Sequence, residues 1–149
     1  MNKVEWFANY CNMSEDEKWI YREFEMGHED KIDINTYRRL YDAVLLMASD
    51  YNEQISKLPP KIQVADEIAL MFNDEVIAVA DDLSKKGMLS EQECYLISSI
   101  GNKLKEMSAT HNDKLWTLNA LQNSADWKDC RSKARILLLS LEYVDWIIN

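Results

Sequence analysis

The chain contains few of the residues that form tight turns, disulfides or metal sites. Its 149 residues include only three Gly, two Pro, three Cys and two His. Folds with many tight β-turns need Gly and Pro, so their scarcity favours long helices with short connections. The cysteines are widely spaced and form no CxxC pair, which is typical of reduced thiols in the cytoplasm rather than of a disulfide framework.

Long apolar runs are also missing. The N-terminal sequence MNKVEWFANYCNMSEDEKW has no apolar segment of the kind found in signal peptides. The most apolar stretch, ILLLSLEYVDWII, is interrupted by Glu142 and Asp145 and is too short to cross a bilayer. We therefore expect a cytoplasmic protein with no membrane partner.

Positive charge is scarce relative to negative charge. Lys and Arg number 17 and Asp and Glu number 26, which gives a net charge of −9. Contact with nucleic acid or with an anionic membrane needs clustered cations, and the longest basic runs are the pairs Arg38-Arg39 and Lys85-Lys86. We expect neither contact. The acidity favours association with a basic protein, although solubility alone also explains it.

Apolar spacing predicts an all-α fold. A chain of this length forms one domain, 1–149, and buries roughly 70% of its unfolded surface. Steps of three and four between apolar residues indicate a compact bundle of about six or seven helices and no strand. The last helix is apolar on several sides, which predicts that the other helices bury it. The predicted helices lie near 4–11, 14–26, 35–58, 64–86, 90–107, 113–122 and 125–148.

Several predicted helix ends carry recognisable signals. Ser14 with Glu17, and Ser90 with Glu93, have the spacing of capping boxes. Gly27 and Gly87 are placed as the left-handed residues that follow a helix. The 35–58 helix is expected to end at Pro59-Pro60.

The stretch DLSKKGMLSEQE, residues 82–93, resembles an EF-hand calcium loop. The resemblance would make Asp82, Ser84 and Glu93 ligands, but Lys86 occupies a ligand position. A cation there repels calcium, and three oxygen-bearing residues are too few for a site of six to eight oxygens. We interpret the stretch as a corner between two helices.

No catalytic motif is present. His28 and His111 are not part of HxxxH, HExxH or ExxH spacing, and the chain has no GxSxG and no Gly-rich phosphate loop. We expect no enzymatic activity and no cofactor. An alternative is a helical-bundle metal-dependent enzyme in which His28, His111 and carboxylates such as Glu29 or Asp113 hold a divalent metal.

Negative charge is concentrated in two segments. Residues 1–30 carry eight acids and three bases, and residues 61–87 carry six acids and three bases. Aromatic residues beside acids form a composition suited to protein binding, because aromatics anchor a partner and acids steer it. The predicted partner-binding residues are Glu15, Asp16, Glu17, Trp19, Tyr21, Glu23, Glu25, Glu29, Asp30, Asp81 and Asp82.

The segment MSEDEKWIYREFEMGHED and the absence of catalytic motifs give the chain a resemblance to a known group. It resembles the small, acidic, helical immunity proteins of bacterial polymorphic-toxin systems, including contact-dependent growth inhibition. The resemblance implies that the chain binds and neutralises a cognate toxin domain, expected to be a basic nuclease, without touching nucleic acid itself. A further alternative is an acidic prophage-type regulator or DNA mimic.

Overall fold

The computed structural model describes residues 28–59 and 63–141 of the chain, with side chains from Asp33 onward. These residues form a compact all-α bundle and contain no strand, as predicted. None of their helices is long and apolar enough to cross a membrane. The predicted helices at 4–11 and 14–26, the Ser14–Glu17 capping box and Gly27 lie outside the described residues. The helices are α1 His28–Ala48, α2 Tyr51–Lys57, α3 Val64–Phe72, α4 Ala78–Lys85, α5 Glu91–Ala109, α6 Leu118–Asn123 and α7 Ala125–Ser140.

Helix α7 packs against α1, α5 and α6 at the centre of the bundle. Its buried residues, Trp127, Cys130, Ala134 and Leu137, follow one another at steps of three and four. The prediction that this helix packs within the bundle is confirmed for that face. Leu139 on another face is 89% exposed. The predicted continuation to 148 was wrong at Leu141, which is extended (φ −76°, ψ 144°) and ends the helix at Ser140; residues 142–149 lie outside the described residues.

The predicted 64–86 helix is one continuous helical rod, Val64–Lys85, but it is not α-helical throughout. A π-helical turn, Asn73–Ile77, joins α3 to α4. This turn packs against α1 and buries Val76 completely. Glu75 in the turn forms an ion pair with Arg39 of α1 at 3.2 Å.

The predicted 35–58 helix was wrong in two respects. Helix α1 begins earlier, at His28, and ends at Ala48, so that the predicted single helix is two helices. The chain becomes extended at Asp50 (φ −64°, ψ 155°), which starts α2. The hydroxyl of Ser49 donates to the carbonyl of Leu45 at 2.6 Å and contributes to ending α1.

This break, which we call the Ser49 corner (46–54), is held by distant side chains. Arg135 donates to the carbonyl of Ala48 at 2.9 Å, and Arg131 donates to that of Ser49 at 3.2 Å. The buried Gln54 amide donates to the carbonyls of Leu46 and Met47 at 3.0 and 3.3 Å. Carbonyls at the end of α1 that have no partner within the helix are therefore satisfied by α7 and α2.

The connection between α4 and α5, which we call the Gly87 corner (83–93), has the predicted structure. Gly87 has φ 77°, and Met88 N–H donates to the carbonyl of Leu83 at 2.9 Å. These are features of the Schellman ending, in which a glycine turns the chain away from the helix. The Ser90 and Glu93 side chains then form a complete capping box at the start of α5.

Lys86 locks the Gly87 corner to α1. Its ammonium lies 2.7 Å from a carboxylate oxygen of Asp33, whose side chain is only 5% exposed, and 3.0 Å from one of Asp82. The hydrogen bonds to Asp33 and Asp82 raise the pKa of Lys86 above its ordinary value of 10.5. The lysine that occupies an EF-hand ligand position in the sequence thus forms a structural ion pair.

The predicted 113–122 helix was also wrong in detail. A short 3-10 turn, Asp113–Trp116, precedes α6, and Thr117 between them is extended. The Thr117 hydroxyl accepts from the N–H of Ala120 at 3.1 Å and so caps α6. The interruption turns Trp116 towards the surface groove described below.

Candidate functional site

An apolar groove runs between the rod Val64–Lys85 and α5. It has a larger part of about 710 Å³ and a smaller part of about 340 Å³, which share Ile77, Gly101 and Lys105. The shared residues make the two parts continuous along α5, and we call the whole the α5 groove. The larger part is lined by Asp66, Ala69, Leu70, Asn73, Ile77, Gly101, Leu104, Lys105, Ser108, Ala109 and Trp116.

The middle of the groove depends on a close approach of the two helices. Gly101 is buried, and a Cβ atom there would lie 2.9 Å from Cδ1 of Ile77 in the π-helical turn. Glycine inside a helix costs about 1 kcal/mol relative to alanine. At this position, glycine avoids the close contact that a Cβ atom would make with Ile77. π-Helical turns occur frequently at functional sites, and this one supplies Asn73 and Ile77 to the groove.

One end of the groove is formed by Trp116. Its ring meets that of Trp127 edge to face, with centroids 5.7 Å apart and planes at 88°. The indole N–H of Trp127 donates to the carbonyl of Leu115 at 2.8 Å. Because Trp127 is 1% exposed, Trp116 is held against the core while its other side lines the groove.

The two rims of the groove differ in charge. The rod carries six acids and one lysine, and Lys86 follows it directly. Asp81 and Asp82 form ion pairs with Lys85 and Lys86, each at 3.0 Å. The Asp81 carboxylate raises the pKa of Lys85 through its hydrogen bond.

Three other charged groups on the rod and on α5 have no ion-pair partner among the described residues. Asp66 and Glu67, in the first turn of α3, make no ion pair with any residue in the described ranges, and neither does Lys105 on the facing helix. Asp66 and Lys105 both line the larger part of the groove. Among the described residues, the rod side of the groove is therefore acidic, and the α5 side contributes Lys105, which forms no ion pair there.

Two of the predicted partner-binding residues have described side chains. Asp81 lines the smaller part of the groove, while Asp82 forms the Lys86 ion pair at the Gly87 corner. Glu29 and Asp30 lie in the first turn of α1. The other predicted residues, Glu15, Asp16, Glu17, Trp19, Tyr21, Glu23 and Glu25, lie outside the described residues.

Cys130 and His111 lie outside the residues that line the α5 groove. No three His, Cys, Asp or Glu residues in the described ranges are placed to hold a metal ion. His111 is exposed on the turn after α5, with φ 52°. Cys130 is buried, and this burial raises the pKa of its thiol to about 12. The thiolate needed for nucleophilic attack is therefore suppressed at neutral pH.

The groove itself was not predicted from the sequence. Leu70 is 55% exposed and lines it, although Leu70 belongs to a helix whose other apolar residues follow the buried stripe. An apolar residue outside the stripe of an amphipathic helix is the one sequence signal that pointed to this surface. The π-helical turn and the contact of Ile77 with α5 left no such signal.

Comparison with known proteins adds no assignment. No protein-family model matches the chain, and neither the curated proteins nor the solved structures include a significant match. The groove, its acidic rim and the distribution of charge along the chain are therefore the observations from which a function is inferred.

Proposed function

We propose that this chain is an immunity-type inhibitor that binds and neutralises a basic toxin domain, expected to be a nuclease. The observation that carries the proposal is the acidic rim of the α5 groove. There, Asp66 lines the groove with the exposed Leu70, and neither Asp66 nor its neighbour Glu67 forms an ion pair among the described residues.

A surface of this kind suits recognition of a basic protein. Apolar side chains at the centre of an interface supply most of the affinity, while charges at the rim raise the association rate and select the partner. A nuclease cleft is basic because it binds phosphates, so an acidic inhibitor complements it electrostatically. The net charge of −9 acts in the same direction.

The resemblance to immunity proteins supports the same function. It rests on the acidic, aromatic-bearing segment MSEDEKWIYREFEMGHED. In the proposal, this segment and the rod form the two acidic parts of the binding surface. A gene for a large secreted protein with a variable C-terminal domain, directly upstream of this one, is the expected genomic setting.

The direct experiment is neutralisation of that C-terminal domain. We expect co-expression of the full chain to rescue growth from the toxin domain, and the purified chain to inhibit its nuclease activity. Failure of the chain to bind or inhibit the domain encoded beside it would refute the proposal.

Charge reversal tests the electrostatic part. We expect Asp66→Lys with Glu67→Lys, and separately Glu15→Lys, Asp16→Lys and Glu17→Lys together, to lower the association rate constant and flatten its dependence on salt. Glu53→Lys is the matched control, because Glu53 is an exposed acid of α2. Equal association rates for all variants would show that the acids do not steer the partner.

A further inference from the structure

We propose that the α5 groove is the docking site for a basic amphipathic α-helix of the partner protein. The inference rests on the proposed function in naming a protein partner, and it adds the kind of element that the partner presents. It follows from the shape, the floor and the charge of the groove.

The dimensions of the groove match a helix. It follows α5 from Cys94 to Ala109, which corresponds to about 22 Å at 1.5 Å per residue. A partner helix of about four turns covers that distance. Three or four apolar side chains on one face of such a helix then point towards the floor, as in other helix-in-groove complexes.

The walls and floor favour a helix over an extended strand. Both walls are helices, and the described residues offer no strand edge to which an extended peptide is able to add. The lining includes the small residues Ala69, Gly101, Ser108 and Ala109. Small side chains let helices approach to about 8–10 Å between axes, which brings the partner's apolar side chains within reach of Ile77 and Leu104.

The charges around the groove favour an occupant that is positively charged. Asp66 lines the larger part of the groove and Asp81 the smaller, and both belong to the rod. Lys105 on the α5 side is the single lysine among the lining residues of either part. A helix with Lys or Arg along the flank that faces the rod complements this pattern. Asp81 is paired with Lys85, so the preference rests on the rod as a whole, whose six acids against one lysine disfavour a fatty acid or another anion.

Binding of a helix in the groove can be tested with a model peptide. The probe is an amphipathic helical peptide of about 18 residues made of Leu and Lys, titrated into the full-length ¹⁵N-labelled chain. We expect amide shift changes concentrated in 66–81 and 97–109. A peptide of the same length and pattern with Glu in place of Lys should bind at least about tenfold more weakly, because its charges repel the rod. Shift changes centred elsewhere, or equal binding of both peptides, would overturn the proposal.

A matched pair of variants distinguishes peptide binding in the groove from nonspecific binding to the rest of the surface. Leu70→Asp should weaken binding of the Leu/Lys peptide by about tenfold or more, since it places a carboxylate in the apolar wall. Leu139→Asp makes the same change at a leucine that is 89% exposed and does not line the groove, and should bind as the unaltered chain does. Equal weakening in both variants would contradict the groove assignment, as would tighter binding of oleate than of the peptide.

Two further measurements exclude other occupants and separate this proposal from the proposed function. Sedimentation should show a monomer; a dimer that protects the groove would mean that a second copy is the occupant and would overturn the proposal. If Leu70→Asp neutralises the toxin domain as well as the unaltered chain does, the groove proposal fails and the function stands. If the unaltered chain binds the Leu/Lys peptide in the groove but does not neutralise the toxin, the proposed function fails by itself.

Discussion

The Gly87 corner and the Ser49 corner are built in opposite ways. At the Gly87 corner, the chain reverses through bonds between residues that are close in sequence, from Leu83 to Glu93. At the Ser49 corner, the carbonyls that end α1 accept from Arg131 and Arg135, which lie 82 and 87 residues further along the chain. A corner of the first kind forms from local sequence, whereas one of the second kind needs the assembled bundle.

The two corners should therefore differ in which substitutions destabilise them. The Gly87 corner depends on a left-handed backbone and on a capping box, so backbone and capping substitutions should affect it most. The Ser49 corner depends on charged donors from α7, so removal of those donors should affect it most. The four predictions below test this contrast, from the largest expected effect to the smallest.

Arg131→Met should have the largest effect. The guanidinium donates to the carbonyls of Ser49 and Leu121 at 3.2 and 3.0 Å, and burial lowers its pKa. Hydrogen bonds from charged groups to partly buried acceptors contribute about 1.5–3 kcal/mol, so we expect the free energy of unfolding to fall by about 2–3 kcal/mol in urea titration. Lys128→Met, at an exposed position of the same helix, is the control and should change it little. Equal losses in both variants would remove the assigned role of Arg131.

Gly87→Ala should destabilise the chain by about 1–2 kcal/mol. The φ of 77° forces the Cβ of alanine into a crowded left-handed conformation. Gly101→Ala is the informative comparison, because Gly101 is in a regular helix and its new Cβ meets only the flexible end of Ile77. Better helix propensity then offsets the contact, and thermal melting should show a smaller loss than for Gly87→Ala. A reversed order would mean that the groove floor is less adaptable than the corner.

Ser90→Ala should lower the free energy of unfolding by about 1 kcal/mol. Its hydroxyl accepts from the N–H of Glu93 at 3.1 Å, and loss of an N-cap leaves that donor unsatisfied. Ser140→Ala removes the long-range bond from the Ser140 hydroxyl to Glu93 (2.8 Å) and leaves the cap intact. We expect Ser90→Ala to cost more than Ser140→Ala in urea titration, because the corner is encoded locally. The opposite order would show that α7 holds it.

The smallest effect expected is that of mildly alkaline pH on the Lys86 ion pair. Lys86 has its pKa raised by Asp33 and Asp82, so its contribution is complete below the unfolded value of 10.5 and is lost only as pH rises through the folded value. The difference in unfolding free energy between the unaltered chain and Lys86→Met should therefore stay constant from about pH 7 to about pH 9.5. A difference close to zero throughout that range would show that Lys86 gains little from its partners.

The contrast between the corners also explains which parts of the fold were predictable. Gly87 correctly predicted the end of α4, and Ser90 with Glu93 correctly predicted the start of α5, because their partners lie within a few residues. The 35–58 helix was predicted without a break. In the structure, the carbonyls of Ala48 and Ser49 at the break accept from Arg135 and Arg131, which are distant in sequence. The residues near Ser49 in the sequence give no indication of these contacts with the arginines.

The groove follows the same division. Apolar spacing predicted helices at 64–86 and 90–107, and the segment 61–87 was recognised as acidic. The groove between them depends on the π-helical turn, on Ile77 meeting Gly101 and on Trp116 held by Trp127. These are contacts between elements, and periodicity within one helix does not contain them.

The sequence by itself determined the helical class, the Gly87 corner, the acidic balance and the lack of a catalytic motif, because each depends on composition or on neighbours along the chain. The tertiary structure decided where α1 ends, which acids have partners and where an apolar groove opens. Those features depend on side chains that meet only after the helices pack, when donors from α7 reach α1 and Lys86 reaches Asp33.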